Sequence, residues 1–369
     1  MRLRMILPRV KPDHISAPKE CVYEDCQGTR FRRHQEVSKP LKDTVYGEVM
    51  AQRYECLSCR CTFRVYPEGV NRGQTSLRVK GLAVMLYALG LSYEGTSLAL
   101  EALGVYMAKS SVYEAMQDAA RRVPGLTREQ VFEGTRTPAM GADLTRVKCN
   151  GQWLTLGLAV DDTEGMVLTV DELSGEDAET LKEWVGPVAK AVGAKLLVTD
   201  DADSFKQAAD ALDIEQQVCK GHVKRNTEAL VEKLGEKARS DEDGSLATIG
   251  VTTEEALADL EHLQTLIMTR QPDDVVILEE MHLRYVRAPA PRQGEKASVA
   301  YRLRLLFLDR WNLWPRLTRY RTWRGPLGEQ VDGTNNGCER SIGWRIKERY
   351  RPMRGYKRAE SAVNISRFL

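Results

Sequence analysis

Acidic residues at the ends of apolar runs are the first features of this 369-residue chain that could do chemistry. Asp143 in GADLT, and Asp200 with Asp201 in VTDD, each close a segment patterned as a β-strand. Strand ends are where α/β sheets build their sites. Carboxylates from neighbouring strands can hold hard divalent cations. Two such ions, about 3.5–4 Å apart, clamp the attacking and leaving oxygens of a phosphoryl transfer. A third carboxylate is then needed, expected from the end of the chain packed back on the sheet. Asp200 is preferred to Asp201 because it follows the apolar run directly. Asp201 and Asp203 read as helix N-terminal charges, and Asp161 and Asp162 as turn residues.

Cysteine spacing points to a different chemistry. Five of the eight cysteines fall within the first 61 residues. Cys21-x4-Cys26 and Cys56-x2-Cys59 form two short knuckles presenting four thiolates, which suits one tetrahedral, structural Zn²⁺. Cys61 is a spare that could replace Cys59. No secretory signal is apparent, so metal binding is favoured over disulfides. The strand-like alternation in EVMAQRYEC and CTFRVYP completes a small zinc ribbon over residues 21–70, behind an N-terminal arm over 1–20. A module this small needs zinc for its folding energy. Cys219 and His222, three apart near the start of a helix, share one face; zinc binding or plain packing would both account for them, and no partner pair lies nearby. Cys149 and Cys338 read as small packing residues.

The elements that must position these groups follow from periodicity. Residues 75–125 read as helices, with Ser92 capping the second and Gly104 ending it. Helix, glycine-containing turn, helix is the helix-turn-helix pattern; a plain helical bundle is the alternative. The third helical segment offers Lys109, Ser110, Ser111, Tyr113 and Gln117 to a duplex. From residue 136 the pattern becomes three strands, helix, strand, helix, the order of a ribonuclease-H-like domain whose first part spans 136–225. Residues 226–330 read as an all-helical insertion with loops near 241–246 and 289–297. Residues 331–369 should return the last helix of the split domain and a basic tail.

Charge is distributed unevenly. The net charge of +2 is a cancellation: residues 1–150 carry +7, residues 151–300 carry −15 and residues 301–369 carry +10. Basic ends suit phosphate and the acidic middle suits cations. In RIKERYRPMRGYKR the cations Arg345, Lys347, Arg349, Arg351, Arg354, Lys357 and Arg358 read as a phosphate-tracking surface. In WNLWPRLTRYRTWRG, Arg interleaves with Trp and Tyr, which fits either stacking on unpaired bases or a buried aromatic helix with snorkelling Arg heads. No uninterrupted apolar stretch of about 18 residues exists, so neither a membrane span nor a membrane partner is expected, and the chain reads as cytoplasmic.

The segment DGTNNGCERSIGWRIKERYRPMRGY resembles the last motif of bacterial insertion-sequence transposases of the DDE type, which include the Mutator-like superfamily. GADLT resembles their first Asp motif and LVTDD their second, and the order ribbon, helix-turn-helix, split domain extends the likeness over nearly the whole chain. The resemblance implies that the third carboxylate is Glu339, following Asn335 and Asn336 and preceding Arg340, and that it joins Asp143 and Asp200. It also implies two Mg²⁺ ions, with Mn²⁺ able to substitute, and a second-shell or DNA-contacting role for Cys219-x2-His222. The implied partners are double-stranded DNA, as element ends and target, and further copies of the chain in a homodimer or higher oligomer on that DNA. The implied setting is a bacterial nucleoid. The expected activity is cleavage and strand transfer of DNA; a cleavage-deficient DNA-binding regulator descended from such an enzyme, or a structure-specific nuclease, would share the motifs.

Overall fold

The computed structural model describes residues 6–122, 136–163, 165–240, 243–353 and 355–368, with the side chains of residues 345, 352 and 353 outside that set. The chain divides into two units, Met1–Gly125 with Ile346–Leu369, and Leu126–Arg345.

In the first unit, β1 (Phe31–Pro40), β2 (Glu48–Cys56) and β3 (Thr62–Val65) form an antiparallel sheet in that order. The Cys21/Cys26 knuckle precedes β1, and the Cys56/Cys59 knuckle joins β2 to β3. Three helices follow: α1 (Leu77–Ala88), α2 (Tyr93–Ala102) and α3 (Lys109–Arg122). Ser92 caps α2 by accepting from the Gly95 N–H at 2.9 Å, and the chain leaves the helix through Gly104 in the left-handed region. Val79, Ala83, Leu100, Met107 and Val112 form the shared core.

The last helix, Ala359–Phe368, packs on α3. Tyr113 and Ser361 share a hydroxyl hydrogen bond of 3.0 Å, and Asn364 Nδ2 donates to Gln117 Oε1 at 3.1 Å. Residues 331–369 were expected to return the last helix of the split domain and a basic tail. Within that span residues 346–369 group with the first unit, where the apolar stripe Ala362, Val363, Ile365 is buried.

The second unit is built on a five-stranded mixed sheet. Its strands are β4 (Ala139–Cys149), β5 (Gln152–Asp161), β6 (Val167–Leu173), β7 (Leu196–Thr199) and β8 (Glu215–Val218), in the order β6-β5-β4-β7-β8. β4, β5 and β6 pair antiparallel; β7 and β8 run parallel to β4. Asn150 and Gly151, both at positive φ, make the two-residue β4–β5 turn, a geometry only such residues adopt without strain.

Both sheet faces are covered, which explains the nearly continuous apolar strands. Met140, Ala142, Ala159 and Leu197 pack against the helices Ala178–Val192 and Asp203–Ala211 through Leu181, Trp184, Val185 and Phe205. Residues of the opposite parity, Ala139, Leu196 and Val198, meet Trp323 and Val331.

After β8 the chain runs into the helices Lys220–Ser240, Thr253–Thr269, Val275–Tyr285 and Val299–Leu317, which share a core including Leu260, Leu263, Leu278, Tyr285, Leu303 and Phe307. Thr252 and Glu255 form a capping box at the second of these. The aromatic–basic stretch resolves as a packed helix. Trp314 is fully buried and Trp323 nearly so, while Arg316 reaches outward to Asp210 and Arg319 to Glu215. No helix among the described residues is long and apolar enough to cross a membrane. Trp314 also donates its Nε1–H to the Gln271 carbonyl at 2.8 Å. Trp314→Ala should cost about 3–5 kcal/mol, read as an earlier urea-unfolding midpoint for these helices.

Candidate functional site: carboxylates on one face of the mixed sheet

The site begins with strand register. β4 and β7 pair Ala139 with Leu196 and Gly141 with Val198. Continuing that parallel register by two residues brings Asp143 level with Asp200. The two acids share the parity of Ala139 and Val198, so they stand on the sheet face opposite the helices Ala178–Val192 and Asp203–Ala211. Asp201 has the other parity. It pairs with Lys206 at 2.9 Å and with the buried Arg310 at 3.7 Å. Asp203 lies in the first turn of its helix and is bonded by Lys206. Asp200 accepts from the Ala202 N–H at 3.1 Å and takes part in none of these ion pairs.

A short helix, Asn336–Ser341, lies across β4 and β5 and carries Glu339. Asn335, fully buried, anchors it: its Nδ2 donates to the Ala142 carbonyl at 3.0 Å, and its backbone N–H to Cys219 Sγ at 3.4 Å. Cys338 packs beneath, its thiol 3.8 Å from the Leu158 carbonyl. Close approach is possible because β4 has glycine at position 141. A Cβ there would stand 2.9 Å from Asn335 Oδ1 and 3.2 Å from Cys338 Sγ. Asn336 and Arg340 face solvent, and Arg340 donates back to the Asn336 carbonyl at 3.2 Å.

Electrostatics ties these groups together. Burial pushes the Asp143 carboxyl up to about 6; the Leu144 N–H opposes this, and the charges of Asp200 and Glu339 add to it. Burial, reinforced by the Asp143, Asp162 and Glu339 charges, holds the Cys338 thiol well above its ordinary value. Asp162 lies in the turn after β5, as expected, and is pushed up to about 7 by burial and then by Asp332 and Asp161. Its neighbour Asp161 is the last residue of β5 and shapes that turn by accepting from the Thr163 N–H at 2.8 Å. The only sequence signal for Asp162 was an acidic doublet at a strand end.

Glu339 also has neighbours on its other side. His222 Nδ1 is 3.5 Å from Glu339 Oε1, and Arg225 is 3.9 Å away. The ligand atoms of Cys219, His222 and Glu339 all lie within 4.8 Å of one another, whereas Asp143, Asp200 and Glu339, all among the described residues, do not form such a group. Burial alone would raise the Cys219 thiol. The His222 hydrogen bond and the N–H groups of Asn335, His222 and Gly221 outweigh it and bring the thiol below its ordinary value.

A separate cluster lies in the first unit, where Cys21, Cys26, Cys56 and Cys59 converge. Sγ–Sγ separations are 3.8 Å for Cys21–Cys59 and 3.7 Å for Cys26–Cys56. Four thiolates at about 2.3 Å from a tetrahedral zinc are about 3.8 Å apart, so this geometry fits the ion. The Cys59 N–H leads in bringing Cys56 down to about 6, toward the thiolate that zinc requires. Cys61 is exposed and outside the cluster.

The expected DNA contacts are scattered. Lys109, Lys347, Arg351, Lys357 and Arg358 are exposed, and Ser111 is half-buried. Arg349 departs from expectation: it is 4% exposed, stacks over Tyr87 at 3.8 Å and donates to the Leu91 carbonyl at 2.7 Å. It holds the first unit together instead of offering a charge to solvent. Arg354 and the side chain of Arg345 lie outside the described residues.

No protein-family model and no curated protein matches this chain. Among solved structures, it is similar to the HTLV-2 integrase catalytic core domain in complex with magnesium, at 18% identity over 34% of this chain and 83% of that one, with a TM-score of 0.21. It is also similar to the catalytic core domain of BIV integrase, at 17% identity over 35% and 99%, TM-score 0.20. A third likeness is to the Drosophila P element transposase strand transfer complex, at 8% identity over 79% and 90%, TM-score 0.38.

The folded Asp143 titrates above its unfolded value of 3.8, so the folded chain holds this proton more tightly. The carboxylate therefore opposes folding above about pH 6, and the effect vanishes below about pH 4. In metal-free buffer, Asp143→Asn should be more stable than the parent by up to about 3 kcal/mol at pH 8 and should lose that advantage near pH 4, by urea unfolding at both values.

Proposed function

We propose that this chain is a DNA transposase that cleaves and joins strands by metal-dependent phosphoryl transfer, using Asp143, Asp200 and Glu339 on a ribonuclease-H-like sheet. The observation that carries this is the parallel β4–β7 register, which extended two residues beyond Gly141 and Val198 aligns Asp143 with Asp200, together with the Glu339 helix contacting β4 and β5. The donor set fits hard cations, since all three groups are carboxylates, and Asp143 is a half-buried acid near like charges that a cation would relieve. Mg²⁺, or Mn²⁺ in its place, would supply charge neutralisation at the attacking and leaving oxygens when two ions are bound.

The chain's own contribution is positioning. Asp143 is held by a strand paired on both sides, Asp200 by its bond to the Ala202 N–H, and Glu339 by the Asn335 anchor. No histidine general base is needed for this chemistry. Asp143→Asn or Glu339→Gln should abolish Mg²⁺-dependent nicking of DNA flanking the gene while leaving binding to that DNA intact. Full nicking by either variant would sink the assignment.

The remaining parts support substrate binding. The four-cysteine module reads as a zinc ribbon, α1–α3 as a helix-turn-helix domain, and the helices from Lys220 to Leu317 as an insertion splitting the catalytic domain. Double-stranded element ends and target DNA are the proposed partners, with the chain acting as a homodimer or larger assembly at the bacterial nucleoid. Lys109 and Ser111 on α3, and the exposed cations Lys347, Arg351, Lys357 and Arg358, are the proposed contacts to the duplex. Chelating zinc should unfold residues 21–66 while the mixed-sheet unit keeps its melting transition, as seen by calorimetry of the full chain. Simultaneous loss of both would contradict a separately folded ribbon.

A further inference from the structure

Cys219, His222 and Glu339 form a donor set of one sulfur, one imidazole nitrogen and one carboxylate. Cys219 ends the connection from β8 and stands at the mouth of the helix Lys220–Ser240; His222 is on that helix's first turn. Glu339 arrives from a helix more than a hundred residues later and meets them. The three ligand atoms lie within 4.8 Å of one another, so modest side-chain movement would bring them to the roughly 3.3–3.8 Å separations of ligands around one tetrahedral ion.

Three further observations suit a metal. Cys219 Sγ accepts the Asn335 N–H at 3.4 Å, which orients the sulfur and stabilises it as thiolate. His222 Nδ1 is shielded from solvent and makes no well-formed hydrogen bond, so it is left facing the Cys219 thiol and the Glu339 carboxylate. Glu339 Oε1 faces that nitrogen at 3.5 Å. Sulfur and imidazole select Zn²⁺-class ions over Mg²⁺, which takes oxygen ligands. Three protein ligands with an open fourth position is an established zinc arrangement.

We propose that Cys219, His222 and Glu339 are a second transition-metal site, taking Zn²⁺ or a similar ion. While it is filled, Glu339 is engaged with Cys219 and His222 and unavailable to Asp143 and Asp200. Zinc therefore acts as a latch that competes with magnesium for one carboxylate. The latch rests on the catalytic assignment of Glu339 made above; the metal site itself does not.

The experiment counts zinc bound to the full chain by equilibrium dialysis in excess Mg²⁺, and repeats the loading with Co²⁺ to read thiolate charge-transfer and d–d bands. The parent should hold about two ions per chain, and Cys219→Ser, His222→Gln and Glu339→Gln about one, that of the four-cysteine cluster, with the calorimetric transition of the mixed-sheet unit retained as the sign that each variant is folded. Each of the three variants should lose the part of the thiolate charge-transfer intensity that Cys219 contributes and keep the part that comes from the four-cysteine cluster. One ion in the parent, or two persisting in both Cys219→Ser and His222→Gln, would overturn the site. Zinc titrated into Mg²⁺-dependent nicking should inhibit the parent; an uninhibited parent that binds two ions would overturn the latch. A parent that binds two ions, lost as described, yet nicks nothing under Mg²⁺ would support the metal site while refuting the transposase assignment.

Discussion

Burial of a carboxyl on the central strand, with two further acids nearby, is the constraint on which the face of the mixed sheet turns. Asp143 is kept partly protonated near neutral pH by burial and by the charges of Asp200 and Glu339. Folding alone would not retain such a group, because a buried acid among like charges weakens the folded state wherever it is ionised. The surrounding packing tolerates it: two covered sheet faces, the long β4–β5 pairing and the Asn335 anchor hold these acids where a cation would reward their proximity.

The anchor shows how one residue serves both ends of this arrangement. Asn335 fastens the Glu339 helix to the β4 backbone through its side chain, and reaches Cys219 through its own N–H. Glycine at position 141 is the concession on the strand side. Glu339 thus sits between an all-oxygen neighbourhood and a sulfur–nitrogen one.

Features set by local pattern were legible in the sequence. The Ser92 cap, the strand ending beside Asp200 and the two cysteine knuckles each depend on residues close in the chain, and each is present. The strand expected to end near Asp143 instead runs on to Cys149, because its antiparallel pairing with β5 continues to the Asn150–Gly151 turn, so Asp143 sits within β4. The preference for Asp200 over Asp201 agrees with strand parity and with the ion pairs of Asp201. What stayed hidden depends on distant partners. Seven cations in fourteen residues looked like one charged surface, yet Arg349 turns inward because Tyr87 and the Leu91 carbonyl accept it. The aromatic–basic stretch allowed two outcomes until Trp314 and Trp323 found cores to enter. Cys219 and His222 showed no third ligand in the sequence because Glu339 lies 117 positions beyond His222.

That same separation has a consequence for how the protein is made. A ribosome releases β4, then β7, then the helices from Lys220 to Leu317, and only afterwards the segment holding Asn335 and Glu339. The third carboxylate is the last of the three to be synthesised, so a chain interrupted before residue 335 carries the helices α1–α3 and the Asp pair but not Glu339. Translation order by itself places α1–α3 before the acidic trio and the helix that packs on α3, Ala359–Phe368, after it.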